Sequence, residues 1–171
     1  MARVVLVIGG ARSGKTSFAL RRASEVSGKK VYVATAEPRD EEMEARIAAH
    51  RAERGSLWET VEEPLDLAGT LAAVSRTHEV AVIDCVTLWL SNLLCSNADA
   101  DAAQDAFIAS LRTLPESSQV FVVSNEVGMG IVPENGLARQ FRDMAGRLNQ
   151  RIAQESHEVF LMAAGIPVKI K

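Results

Sequence analysis

The apolar run Val4-Val5-Leu6-Val7-Ile8 leads directly into Gly9-Gly10-Ala11-Arg12-Ser13-Gly14-Lys15-Thr16. These eight residues fit G-x-x-x-x-G-K-[ST], a pattern that works only as a turn between a buried strand and a helix. The glycines let the backbone aim N–H groups at an anion, Lys15 neutralises charge on β and γ phosphates, and Thr16 offers a hydroxyl to Mg²⁺. A helix starting near Lys15 adds its positive end to the same anion. The chain is therefore expected to hold a nucleoside triphosphate on the carboxyl side of its first strand.

Strand-like segments recur at residues 4–8, 30–34, 80–84, 120–124 and 158–162, with helical spacing between them at 17–26, 41–54, 65–75, 101–111 and 137–154. Alternation of this kind implies a parallel sheet, and near-continuous apolar strands imply burial on both faces. Right-handed crossovers then gather the loops after the strands at one carboxyl edge, where ligands bind. The last helix should bury Leu137, Phe141, Met144, Leu148 and Ile152. Residues 96–103 read as a loop, and 168–170 as a short edge strand after Pro167. The predicted class is a P-loop NTPase-like α/β fold, a mostly parallel sheet flanked by helices in a RecA-like three-layer sandwich.

With 171 residues, 47% of them hydrophobic, the chain has room for one core, and residues 1–171 are expected to form a single domain. Its net charge of −3 argues against nucleic-acid binding. The two cysteines, Cys85 and Cys95, sit in apolar surroundings without a metal-ligand cluster, so they read as free thiols in a reducing compartment. No run approaches the ~18 apolar residues of a membrane span, and the cytoplasm is the expected location.

Val80-Ala81-Val82-Ile83-Asp84 is an apolar strand ending in a carboxylate, the second element that a phosphate-loop site needs for Mg²⁺. Arg46, His50 and Arg54 recur at intervals of four on a predicted helix. From spacing alone this row reads as a solvated basic face; the alternative is an anion grip in which neighbouring cations keep the imidazole unprotonated and nucleophilic. His78 and His157 precede strands and read as loop or edge residues. Glu126, in the glycine-containing segment after the 120–124 strand, is either a substrate or metal contact or part of a turn.

Three stretches resemble one family, the bifunctional adenosylcobinamide kinase/adenosylcobinamide-phosphate guanylyltransferases of cobalamin biosynthesis. They are the loop at 9–15, Glu42-Met43-Glu44-Ala45-Arg46-Ile47 leading to His50, and Asn125-Glu126-Val127-Gly128-Met129-Gly130-Ile131-Val132-Pro133-Glu134-Asn135, continued by Leu137-Ala138-Arg139-Gln140-Phe141-Arg142-Asp143 and Gly146-Arg147-Leu148-Asn149-Gln150-Arg151. The resemblance covers nearly the whole chain.

It implies two reactions on one nucleotide site. The terminal phosphoryl of ATP or GTP goes to the aminopropanol hydroxyl of adenosylcobinamide; GTP then gives GMP to a histidine with release of pyrophosphate, and adenosylcobinamide phosphate takes that GMP to form adenosylcobinamide-GDP. By position His50 is the guanylylated histidine, with Lys15 serving the phosphates. The resemblance further implies nucleotide contacts from Ala34, Thr35, Ala36, Arg51, Ala52, Glu53, Arg54, Glu62 and Asp84, metal contacts from Thr16 and Asp84, and a homotrimer. Some relatives carry glutamate at position 84, and either carboxylate binds Mg²⁺. The competing functions are a P-loop small-molecule kinase of another pathway and a GTP-binding switch, although the chain has no N-K-x-D guanine-reading motif.

Overall fold

The computed structural model describes residues 2–37, 55 and 57–171. Its strands are β1 Arg3–Gly9, β2 Lys30–Ala34, β3 Trp58–Glu62, β4 Val80–Asp84, β5 Gln119–Asn125, β6 Glu158–Ala163 and β7 Ile166–Lys169. The helices are α1 Lys15–Ser24, α2 Leu67–Val74, α3 Val86–Cys95, α4 Ala100–Arg112 and α5 Gly136–Glu155. All seven strands join one sheet in the order β3-β2-β4-β5-β1-β6-β7. Every pairing is parallel except β6 with β7, which a tight turn at Ala164 and Gly165 makes antiparallel. Both turn residues have positive φ, 51° and 80°, as a two-residue hairpin with the sheet's twist requires.

Successive strand residues point to opposite faces, so the Val-rich strands feed two cores. Val4, Leu6, Val33, Ile83 and Val122 pack beneath α2 to α5, against Leu71, Trp89, Phe107, Leu148 and Ile152. Val5, Val7, Tyr32, Val82 and Val123 pack on the other face against Phe18, Ala19 and Ala23 of α1. The result is the three-layer α/β/α arrangement expected. Trp89 is fully buried beside Phe107, ring centroids 5.3 Å apart, and its indole N–H donates to the Leu65 carbonyl at 2.7 Å.

Several local expectations change. The strand β3 and the helix α3 have no counterpart in the sequence reading. β3 is a half-buried edge strand with two glutamates in five residues, so its alternation is faint. α3 starts two residues after β4 with no side-chain cap, which hides the boundary inside one apolar stretch. Within the expected loop at 96–103, Asp99 caps α4 by accepting from the Asp101 and Ala102 N–H groups, so the helix begins at Ala100. Leu137 is 63% exposed, because the first turn of α5 lies largely outside the core and full burial begins only at Met144. Cys95 is exposed rather than in apolar surroundings, while Cys85 is buried. The expected helix at 41–54 lies outside the described residues, apart from which no helix is long and apolar enough to cross a membrane.

Next to the edge formed by β7, the buried Glu158 carboxylate of β6 ties three elements together. It pairs with Arg3 of β1, with Lys169 of β7 at 2.9 Å and with Arg22 of α1 at 3.7 Å. The hydrogen bond from Lys169, then that from Arg3, outweighs burial and holds this carboxyl below its ordinary value. A depressed carboxylate contributes stability above its unfolded pKa and loses it as pH falls through the folded one. Stability should therefore decline as the solution is acidified below about pH 5. Glu158→Gln should cost roughly 1–3 kcal/mol at pH 7 and flatten that acid limb, read as urea midpoints across pH.

Candidate active site

Parallel registry brings the carboxyl ends of five strands level. Gly9 pairs with Asn125, Asp84 with Val123, and Ala34 with both Asp84 and Glu62. The loop from β1 to α1 closes over this edge. A Cβ on Gly9 would lie 2.5 Å from the Met162 carbonyl oxygen and 2.7 Å from Ser13 Oγ, so no larger residue fits there. Gly14 enters α1 at φ 90°, in the left-handed region that glycine tolerates. The tip of the β6–β7 hairpin braces the loop, Gly165 N–H donating to the Ser13 carbonyl at 3.0 Å.

Loop and edge enclose a cavity of about 600 Å³ lined by residues 11–17, Asp84, Cys85 and Asn125. Its electrostatics favour an anion. α1 has no side-chain cap and no acidic residue in its first turn, so its leading N–H groups are free for a ligand. Lys15 is only 7% exposed and donates to the Gly10 carbonyl at 2.6 Å. Burial lowers its pKa, against smaller opposing pulls from Cys85 and Asp84, and a polyanion in the cavity would restore the charged form. Ser13 Oγ is buried against Gly9 with no hydrogen-bond partner among the described residues.

Asp84 faces the loop from β4. Its Oδ2 accepts from Thr16 Oγ1 at 2.6 Å and from the Tyr32 hydroxyl at 2.8 Å. The Thr16–Asp84 pair is the one expected from the sequence; the Tyr32 hydroxyl has no sequence signal, because it reaches Asp84 only through β2 lying beside β4. Next to it, burial first and Asp84 second push the Cys85 thiol up to about 12, so it stays protonated and inert.

Among the other expected nucleotide contacts, Ala34 and Glu62 reach the same edge and Ala36 is half-buried just beyond β2. Thr35 is fully buried, its hydroxyl accepting from the Cys85 N–H at 2.9 Å and donating to the Cys85 carbonyl at 2.8 Å. Its N–H donates to the Asp84 carbonyl at 3.1 Å and its own carbonyl accepts from the Asn92 amide at 2.8 Å, so Thr35 ties β2 to β4 and α3 and acts as a structural clamp at the site edge rather than as a nucleotide contact. Glu126 Oε1 accepts from the Gly128 N–H at 2.6 Å, which favours the turn over the metal contact. His78 bonds Glu59, and His157 accepts from the Val4 N–H, consistent with edge residues. His50, Arg51, Ala52, Glu53 and Arg54, with Arg46, lie outside the described residues.

A strand, a glycine-rich anion loop, a helix N-terminus and a facing carboxylate on one sheet edge define a P-loop nucleotide-binding α/β protein. A solved structure of the RadB recombinase shares this fold, with a TM-score of 0.54, 16% identity and coverage of 93% of this chain and 73% of that one. Residues 5–170 match the family cobinamide kinase / cobinamide phosphate guanyltransferase, and the chain belongs to it. It is 44% identical over 168 residues to the bifunctional adenosylcobalamin biosynthesis protein CobP of Pseudomonas aeruginosa, covering 97% of this chain and 96% of that one. It is 42% identical over 181 residues to the bifunctional adenosylcobalamin biosynthesis protein CobU of Escherichia coli, covering 98% and 99%. The protein is thus a transferase of cobalamin biosynthesis, with kinase and guanylyltransferase activities on adenosylcobinamide.

Proposed function

We propose that both activities draw on one nucleotide site centred on the 9–16 loop, within a single domain. In the first, the terminal phosphoryl of ATP or GTP passes to the adenosylcobinamide hydroxyl. In the second, His50 takes GMP from GTP, pyrophosphate leaves, and adenosylcobinamide phosphate collects the GMP. The observation that carries this reading is the cavity in which Lys15 and the Thr16–Asp84 pair meet a bare helix N-terminus.

Phosphoryl transfer asks a protein chiefly for position and charge neutralisation, which Lys15 and the loop N–H groups supply. The Thr16 hydroxyl and Asp84 carboxylate are hard oxygen donors 2.6 Å apart, a pair that suits Mg²⁺ when waters and phosphate oxygens complete its shell. Among the described residues no three His, Cys, Asp or Glu side chains form an all-protein cage, which also suits an ion shared with the phosphates. Bound there, Mg²⁺ would neutralise charge on the β and γ groups. Displacement at the α-phosphate asks for a nucleophile, and this reading gives that role to His50.

Met129, Ile131 and Val132 after β5, with Ile166 and Val168 on β7, expose apolar surface that assembly would cover. We read the assembly as a homotrimer in the cytoplasm. Mass spectrometry of a mixture of protein, Mg²⁺, adenosylcobinamide and GTP tests the function: adenosylcobinamide phosphate should form first and its GDP derivative second. GTP hydrolysis without either corrinoid product would point to a switch instead.

A further inference from the structure

Asn125 ends β5, the strand between the loop strand β1 and the Asp84 strand β4, and it lines the cavity. Its main chain is held by a closed ring of hydrogen bonds. The Asn125 N–H donates to Thr87 Oγ1 at 2.6 Å, and Thr87 Oγ1 lies 3.1 Å from Ser124 Oγ. Ser124 Oγ donates to Asn149 Oδ1 at 2.6 Å, and the Asn149 amide returns to the Asn125 carbonyl at 3.3 Å. Because the Ser124 proton is committed to Asn149, the Thr87 hydroxyl must donate to Ser124, so the ring runs in one direction. Thr87, Ser124 and Asn149 are all buried, at 5%, 1% and 7% exposure. Polar groups this deep between apolar layers stabilise little on their own, but fully satisfied they fix one geometry. What they fix is Asn125, whose carboxamide has no hydrogen bond among the described residues and which lines the same cavity as Lys15 and Asp84, on the strand between β1 and β4.

We infer that Asn125 is a catalytic residue whose carboxamide N–H donates to the terminal phosphoryl group, and that Thr87, Ser124 and Asn149 are its positioning residues. This rests on the loop cavity being the triphosphate seat. In the kinase step the corrinoid hydroxyl oxygen bonds to the γ-phosphorus, the bond to the β,γ-bridging oxygen breaks, the nucleoside diphosphate leaves and the hydroxyl proton goes to water. A donor fixed before the reaction stabilises charge on the moving group without reorganising.

Purified Asn125→Ala, Asn125→Asp and Ser124→Ala, each checked for a cooperative melt, provide the test. Asn125→Ala should lower kcat for adenosylcobinamide phosphorylation by ~10²-fold, with KM for GTP within about threefold of wild type. Asn125→Asp should weaken GTP relative to GDP by about tenfold or more in equilibrium titrations, because the new charge faces the terminal phosphate. Ser124→Ala breaks the ring without touching the nucleotide and should lower kcat in the same direction, by about 5–20-fold, with KM unmoved. Turnover of Asn125→Ala within threefold of wild type, or an unchanged GTP/GDP ratio in Asn125→Asp, overturns the inference. Lys15→Ala serves as control: if it keeps kinase activity the seat itself is misplaced, whereas an inactive Lys15→Ala beside a normal Asn125→Ala refutes only the role of Asn125.

Discussion

Lys15→Ala is expected to lower phosphorylation of adenosylcobinamide by ~10²–10³-fold and to weaken the guanylyl step with it, because in the proposed mechanism both draw on the same triphosphate site. The ammonium is buried, held by a single carbonyl of its own loop at 2.6 Å, and depressed in pKa by that burial. A lysine so placed opposes folding at neutral pH: its folded pKa lies below its unfolded one, so protonating it favours the unfolded chain. Removing it should leave the melting temperature of the nucleotide-free protein unchanged or raised. Saturating GTP stabilises the wild type by preferential binding to the folded state, and this increment should largely vanish in the variant. Lost activity with kept stability would mark Lys15 as a ligand group; equal loss of both would mark it as structural.

His50→Ala has a different signature. If His50 is the guanylylated residue as proposed, GMP then has no covalent stop between GTP and the corrinoid phosphate, and guanylyl transfer should fall by ~10⁴-fold or more. Phosphorylation of adenosylcobinamide should persist, since that step needs charge and position from the loop rather than a nucleophile. Product assays on the two variants, run side by side, therefore separate them: one loses both products, the other only the second.

The loop was legible because its chemistry leaves few alternatives: glycines where a side chain would collide, a lysine and a hydroxyl at fixed offsets, and a Val-rich strand ahead. Asp84 followed for the same reason, as the acid at the end of a second buried strand. Helix ends with strong caps were near their observed positions, α5 opening at Asn135, whose side chain accepts from the Ala138 N–H. What local sequence cannot encode is adjacency. Tyr32 meets Asp84 only because β2 pairs with β4, and the ring around Asn125 joins side chains from α3, β5 and α5 that are far apart in the chain. The Asn125 and Asn149 positions stood within recognised motifs, yet their role emerged only when the sheet order put β5 between loop and carboxylate. Leu137 fails for a related reason: helical periodicity identifies a stripe but not where the sheet beneath it stops.

The most direct test is a pulse and chase. Enzyme is charged with GTP labelled at the α-phosphate, freed of unbound nucleotide and mixed with unlabelled adenosylcobinamide phosphate. The account requires the label to sit on the His50 peptide before the chase and to leave quantitatively as adenosylcobinamide-GDP after it. Label found on another residue, or label that stays on the protein while product forms from fresh GTP, would contradict it.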